Sequence, residues 1–295
     1  MTFPYPTGQR SPITVKIRLF LKSSFTKLRL IFPQLWINIR MKKTILLWAL
    51  ALLITVVSAV YQRISGPTFP RSGSVVFNGE KINYKLERSH TTSSNYYLEI
   101  KTADPSVSGI VKWRKNYKTL DTFTVVPMKG SGNLTAELPA QGPQEKFQYY
   151  IELYKGDVSV TIPEDKPVIV RFKGDVPFWI LIPHILFMFG AMMFSTRTAF
   201  ELFNPQEKIK KLAEWTIVLL FIGGFPLGFL MNHFAFGQMW GGIPFGNDIT
   251  DNKTLIAFIG WVVAYIMIRK KEQPKLFALL AAILMIIVYA IPHSV

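Results

Sequence analysis

The chain contains no cysteine. That excludes a disulfide scaffold, a thiolate zinc site, an iron–sulfur cluster, a cysteine nucleophile and an acylated-cysteine lipoprotein anchor. Acid is missing from the first 79 residues, the first carboxylate being Glu80. Histidine is scarce, with four in 295 residues, and charged residues make up only 18% of the chain. There is no phosphate-binding glycine loop, dinucleotide fingerprint, zinc-protease motif or serine elbow, so the sequence indicates no enzymatic activity. No internal repeat points to a transporter built from two halves.

What the chain does have is apolar bulk and positive charge. Hydrophobic residues make up 49% of it, and 34 Lys+Arg against 18 Asp+Glu leave a net charge of +16. A nucleic-acid binder is rarely so apolar, which argues against nucleic acid as a partner. The same composition excludes disorder for most of the chain. The charge is uneven. Nine basic residues and no acid lie in residues 1–43, whereas residues 62–176 carry 16 basic and 12 acidic residues.

Five apolar stretches read as transmembrane segments: residues 44–61, 177–195, 212–231, 254–268 and 276–292. Four of them crowd into residues 177–295, leaving too little polar surface for a soluble fold. The basic residues cluster between segments in an alternating way. Lys42 and Lys43 precede the first segment, Arg197, Lys208, Lys210 and Lys211 follow the second, and Arg269, Lys270, Lys271 and Lys275 follow the fourth. The connection 232–253 has only Lys253. By the positive-inside rule this predicts a cytoplasmic N-terminus, with residues 62–176, the 232–253 loop and the C-terminus outside. From Met41 the chain has the basic start and apolar run of a signal sequence, long enough to read as an uncleaved anchor in a bacterial plasma membrane. Residues 1–43 then read as a basic extension outside the fold, or else as a basic interfacial segment.

Residues 62–176 change character. Short runs rich in Val, Ile, Tyr, Phe and Thr alternate with turn residues, predicting strands near 74–77, 82–86, 96–101, 109–115, 122–126, 134–138, 147–154, 158–162 and 168–173. Lys155-Gly156-Asp157 predicts a tight hairpin. This rhythm suits an antiparallel β-sandwich. The stretch LPAQGPQEKFQYYIELYKGD, residues 138–157, is similar to the penultimate strands of cysteine-free immunoglobulin-like and fibronectin type III-like domains. That resemblance implies that Tyr149 or Tyr150 closes a tyrosine corner.

Residues 41–295 as a whole resemble a family of uncharacterised bacterial envelope membrane proteins. The segments that carry the likeness are RFKGDVP (171–177), WGGIPFGNDITDNKT (240–254) and the final IPHSV. The resemblance implies an N-terminal anchor, an immunoglobulin/fibronectin III-like outer domain and four further membrane helices, and no particular activity. The expected fold is therefore a mixed membrane protein: an all-β sandwich at 62–176 on an α-helical bundle at 177–295, with about five transmembrane helices in all.

The residues able to carry chemistry gather near one face of the expected topology. His184, His233 and His293 all tend toward the outer side, which makes them candidate haem or copper ligands. His184, Met188 and Met192 are spaced i, i+4, i+8 on one helical face, and imidazole with thioether suits copper or haem iron. Asp248 and Asp251 offer oxygen ligands for a hard cation such as calcium, or Asp251 or Asn252 caps the fourth segment. Against these stand plainer readings, methionine as filler and histidine in a wet interface. Lys253 is expected to pair with Asp248 or Asp251, Arg197 with Glu214, and Gly223-Gly224-Phe225-Pro226 to bend the third segment or let a neighbouring helix approach closely. The expected function is binding or scaffolding in the cell envelope, with membrane lipid and an envelope protein or glycan as partners. A membrane haem or metal redox protein and a small transporter are the alternatives.

Overall fold

The computed structural model describes residues 33–115, 122–203, 208–271 and 273–292. The chain divides into two compact units, residues 1–50 and 51–295. In the first unit the described part is helical from Pro33 and presents Ile37, Ile39, Ile45 and Leu46 as exposed apolar side chains. It is the start of helix α1 (Pro33–Ser65), which begins ahead of Met41. The helix carries no proline or glycine after Pro33 and stops where Gly66-Pro67 breaks it.

Among the described residues the second unit holds ten strands and five further helices. The strands are β1 (Arg71–Phe77), β2 (Glu80–Leu86), β3 (Ser89–Thr91), β4 (Tyr96–Lys101), β5 (Ser108–Arg114), β6 (Thr124–Pro127), β7 (Asn133–Leu138), β8 (Lys146–Lys155), β9 (Val158–Ile162) and β10 (Val168–Lys173). Nine overlap the predicted runs. Short, polar β3 has no apolar alternation to reveal it; it pairs in parallel with β10. The six-stranded sheet runs β3-β10-β8-β5-β6, with β9 also on β8, while β1-β2 and β4-β7 form antiparallel pairs. Asn78 and Gly79 turn the β1–β2 hairpin with φ of 51° and 83°, as a tight hairpin requires. Gly156 does the same between β8 and β9 with φ of 56°.

Alternation drives this packing. Tyr96, Leu98 and Ile100 of β4 and Leu134, Ala136 and Leu138 of β7 turn inward while their neighbours face water. They meet Phe147, Tyr149, Ile151 and Leu153 of β8 in one core. The Tyr149 hydroxyl meets that of Tyr96 at 3.1 Å, and Tyr96 donates to the Glu87 carbonyl at 2.6 Å. Burial pushes the Tyr96 phenol up to about 12 and Tyr149 well above its ordinary value, so both stay neutral. Tyr150 lies outside the core with its ring against Phe123.

The helices are α2 (Phe178–Ala199), continued by a 3-10 turn at Phe200–Phe203; α3 (Ile209–Ile222), a π-helical turn at Gly223–Leu227 and α4 (Gly228–Phe236); α5 (Ile249–Arg269); and α6 (Pro274–Ala290). Among the described residues four helical spans are long and apolar enough to cross a membrane: Ile37–Ser65, Phe178–Phe203, Ile209–Phe236 and Ile249–Arg269. The chain is a membrane protein. The fifth expected segment, α6, is a shorter apolar helix of 17 residues, started by Pro274 and halted at Ile291-Pro292. Small residues let these helices approach closely: Ala191, Ala213, Ala257, Ala264, Ala281 and Ala282 pack around Trp261 and Met285. Large apolar side chains such as Leu186, Phe221, Ile259 and Ile283 point outward. Pro226 has no N–H for the Ile222 carbonyl, and the ladder widens into a π turn there. A Cβ at Gly224 would lie 2.6 Å from the Thr254 side chain of α5, the close helix approach the glycines predict.

At the bundle end away from the sheets Arg197 pairs with Glu201 at 2.6 Å, both buried. Glu214 accepts instead from the Tyr265 hydroxyl at 2.6 Å and faces Lys210, so the expected Arg197–Glu214 pair gives way to a partner one helical turn along the chain. At the other end the sheets rest on α4. Gly174 N–H donates to the Ala235 carbonyl at 2.8 Å, and the Arg171 guanidinium lies 4.6 Å over the Phe236 ring. A Cβ at Gly174 would strike the Phe234 carbonyl, which only glycine avoids.

Candidate functional site

Where β10 and its exit segment meet the bundle, a cavity of about 450 Å³ opens. Its sheet-side wall includes Ser89, Arg171, Lys173 and Asp175, and its bundle-side wall includes His184, Asn232, Asp248 and Asp251. Deeper, Leu181, Met188, Met231 and the bare backbone of Gly224 and Gly228 make the lining apolar. A second space of about 260 Å³ shares Leu181, His184, Met188, Met231 and Thr254 with the first. It continues between the helices to Phe189, Leu220, Ala257 and Val288, with Gln62, Lys253 and Tyr289 also in its wall.

The first turn of α5 builds the polar rim. Asp248 is the N-cap, its carboxylate accepting the Thr250 and Asp251 N–H groups at 2.7 and 3.2 Å. The helix therefore starts earlier than its apolar run, with Asp248 in the capping role expected of Asp251 or Asn252. Asp251 is buried and holds three segments together. It accepts the Asn232 amide of α4 on both oxygens, at 2.8 and 3.1 Å, and the Gly241 N–H at 2.6 Å. Asn252 accepts the Ile243 N–H at 2.7 Å. The loop 237–248 is thus folded back on the helix it precedes. A Cβ at Gly242 would lie 2.7 Å from Asn252 Oδ1 and 2.9 Å from Asp251 Cβ, which accounts for a glycine there. Trp240 stacks on Phe225 of the π turn at 5.9 Å. Met239, Ile243 and Phe245 remain exposed on the loop.

His184 sits where the polar and apolar parts meet. Its Nδ1 lies 2.9 Å from the Gly223 carbonyl. A carbonyl only accepts, so Nδ1 carries the hydrogen and Nε2 keeps its lone pair in the neutral ring. On the sheet side, hydrogen bonds from Thr91 and then Ser93 hold the Asp175 carboxyl below the ordinary aspartate range. Burial lowers the Arg171 guanidinium, an effect opposed by Asp248.

The expected ligand residues divide. His184, Met188, Asp248 and Asp251 line the one cavity. Met192 lies a turn further down α2, fully buried in the bundle core. His233 is exposed with its ring edge toward Phe234, since α4 turns it to the outer surface. His293 lies outside the described residues. Among the described residues no three of His, Asp and Glu gather as a metal-ligand set. Lys253, expected opposite Asp248 or Asp251, donates from Nζ to the Ile291 carbonyl at 2.5 Å. No protein-family model matches the chain, and no curated protein matches it.

Sequence reasoning missed Arg171, Asp175, Asn232 and Thr254 as cavity residues. The signal was at hand, since RFKGDVP and WGGIPFGNDITDNKT supply most of the polar rim. What was hidden is that the sheet exit and the loop before α5 meet in space.

The arrangement suits a molecule with a polar head and an apolar tail. Water-facing donors and acceptors surround the mouth, and apolar space runs on between helices. Its geometry depends on Asp251. Asp251→Ala leaves the Asn232 amide and the Gly241 N–H without their acceptor, at a cost of about 1–3 kcal/mol for each unsatisfied group. Amide exchange at Gly241 and Ile243 is expected to rise at least tenfold, with little change in β4 and β7. Unchanged exchange at the loop would contradict the clamp.

Proposed function

We propose that the protein is an amphiphile-binding protein of the bacterial cell envelope, anchored in the plasma membrane, with its sheet domain outside the cytoplasm. The observation that carries this is the two-part cavity. Its polar mouth is made jointly by the sheet domain and the bundle, and it continues into a mostly apolar space among the helices, edged by Gln62, Lys253 and Tyr289. Pockets at such junctions, apolar with a few convergent polar groups, are where small molecules bind. Neither part makes the mouth alone, so ligand binding and docking of the sheet domain support each other. The site serves binding rather than a defined reaction.

The immunoglobulin-like reading of the sheet domain belongs to this proposal. The β4–β7 pair and the β5–β8–β10 run match the B–E and C–F–G pairings of that fold. The β1–β2 hairpin is an addition to it, and Tyr149 meets another tyrosine rather than the corner backbone. The outside placement rests on the basic residues at 197–211 and 269–275, which lie at chain positions opposite in sense to the sheet domain. A second reading, haem or copper at His184, has a narrower footing: Met188 shares its cavity, while Met192 and His233 face elsewhere.

Two measurements test the proposal. Protein purified in mild detergent should carry a bound lipid-like molecule detectable by native mass spectrometry. Met231→Trp, which fills the neck shared by both spaces, should lose at least nine-tenths of it without loss of thermal stability. A colourless, empty wild-type protein would contradict amphiphile binding, and a Soret band or stoichiometric copper lost in His184→Ala would replace it with the second reading. Because the chain is free of cysteine, orientation can be read from single substitutions. Tyr97→Cys should react with an impermeant maleimide on intact spheroplasts and Lys271→Cys only after lysis. The reverse pattern would overturn the outside placement.

A further inference from the structure

A second cavity, separate from the amphiphile site, lies beside the C-terminal end of α1. It measures about 660 Å³ and is bounded by Ile64, Ser65 and Gly66 on one side and by Arg71, Arg88 and Lys166 on the other. Arg71 stands opposite Leu86 in the β1–β2 pair, and Arg88 follows two residues after Leu86, so both guanidiniums emerge at one end of the hairpin. Their situations differ. Arg71 is held by the Asp165 carboxylate and by the Lys166 carbonyl at 2.7 Å. Arg88 is half-buried and has no carboxylate or carbonyl partner for its side chain among the described residues. Burial, and then the nearby positive charge of Arg71, push its guanidinium below the ordinary arginine value.

An always-charged group held partly out of water, beside a like charge and without a counterion, is costly. An anion placed between the two arginines removes that cost. The planar fork of arginine matches phosphate oxygens in particular. Asp165 offsets one cation, which leaves Arg88 and Lys166 in excess, and Arg63 adds a further positive charge over the nearby Phe69 ring at 5.8 Å. Ile64, Phe69 and Ile169 supply an apolar border.

The depth of the cavity narrows the source of the anion. The apolar span of α1 covers 29 residues, Ile37–Ser65. At helical rise that is about 43 Å, the thickness of a bilayer including its headgroup zones. The end at Ser65 therefore lies at headgroup level, and the cavity opens beside it. We infer that the Arg71–Arg88 cavity binds the phosphate group of an anionic membrane lipid, fixing the sheet domain against the headgroup layer.

The full chain in detergent, titrated with phosphatidylglycerol, phosphatidylcholine or inorganic phosphate and followed by thermal shift and native mass spectrometry, tests this. Wild type should bind phosphatidylglycerol at least tenfold more tightly than phosphatidylcholine. Arg88→Gln, which removes no side-chain hydrogen bond of the fold, should lose that preference. The exposed Lys166→Gln should weaken it several-fold. A response to inorganic phosphate that is also lost in Arg88→Gln would keep the anion site and assign it to free phosphate. Equal binding of phosphatidylglycerol by wild type and Arg88→Gln, or no response to either anion, would overturn the inference.

Discussion

A single buried carboxylate, Asp251, joins the segments on which the site depends. It ties α4, through Asn232, to the loop after it, through Gly241, and both to the start of α5. A polar group in such a place needs partners, and the Asn232 amide and the Gly241 N–H supply them. The sheet domain in turn rests on the residues this clamp positions, with Gly174 bonded to Ala235 and Arg171 laid on Phe236. Loss of the clamp would loosen the floor of the cavity and the seat of the sheet domain together.

The bundle follows a different constraint. In an apolar surrounding, burial of greasy side chains gives helices little reason to associate, and close packing of small residues takes its place. Alanine-lined contacts around Trp261 meet that need over most of the bundle. Near the sheet domain the pattern is interrupted by the π turn at Gly223–Leu227, which puts the Gly223 carbonyl where the His184 ring can donate to it. The gap beside that contact is the neck of the cavity. The same local irregularity in the third span thus makes room for a ligand and aims the one histidine of the site.

Much of the architecture was legible in the sequence because its signals are local. Alternation marked nine strands, and apolar runs marked the helices. What was not legible was anything set by distant pairing. Strand β3 is too short and polar to announce itself and exists because β10 lies beside it. Helical spacing placed His184, Met188 and Met192 on one face, but it gives no depth, and the cavity ends above Met192. Proximity to the sheet end grouped His233 with His184, whereas the rotation of α4 separates them. Asp248 and Asp251 were visible as acids before a helix; that one caps and the other clamps depends on a loop fold set by two glycines and Trp240.

On this reading an amphiphile's tail lies inside the bundle rather than along its outer surface. Photo-crosslinking with a lipid carrying a diazirine on its acyl chain, followed by peptide mapping, reads this directly. A tail inside the bundle places label at Leu181, Met188 and Met231, reduced by competition with unlabelled lipid. Label confined to outward positions such as Leu186, Ile259 and Ile283 would contradict it.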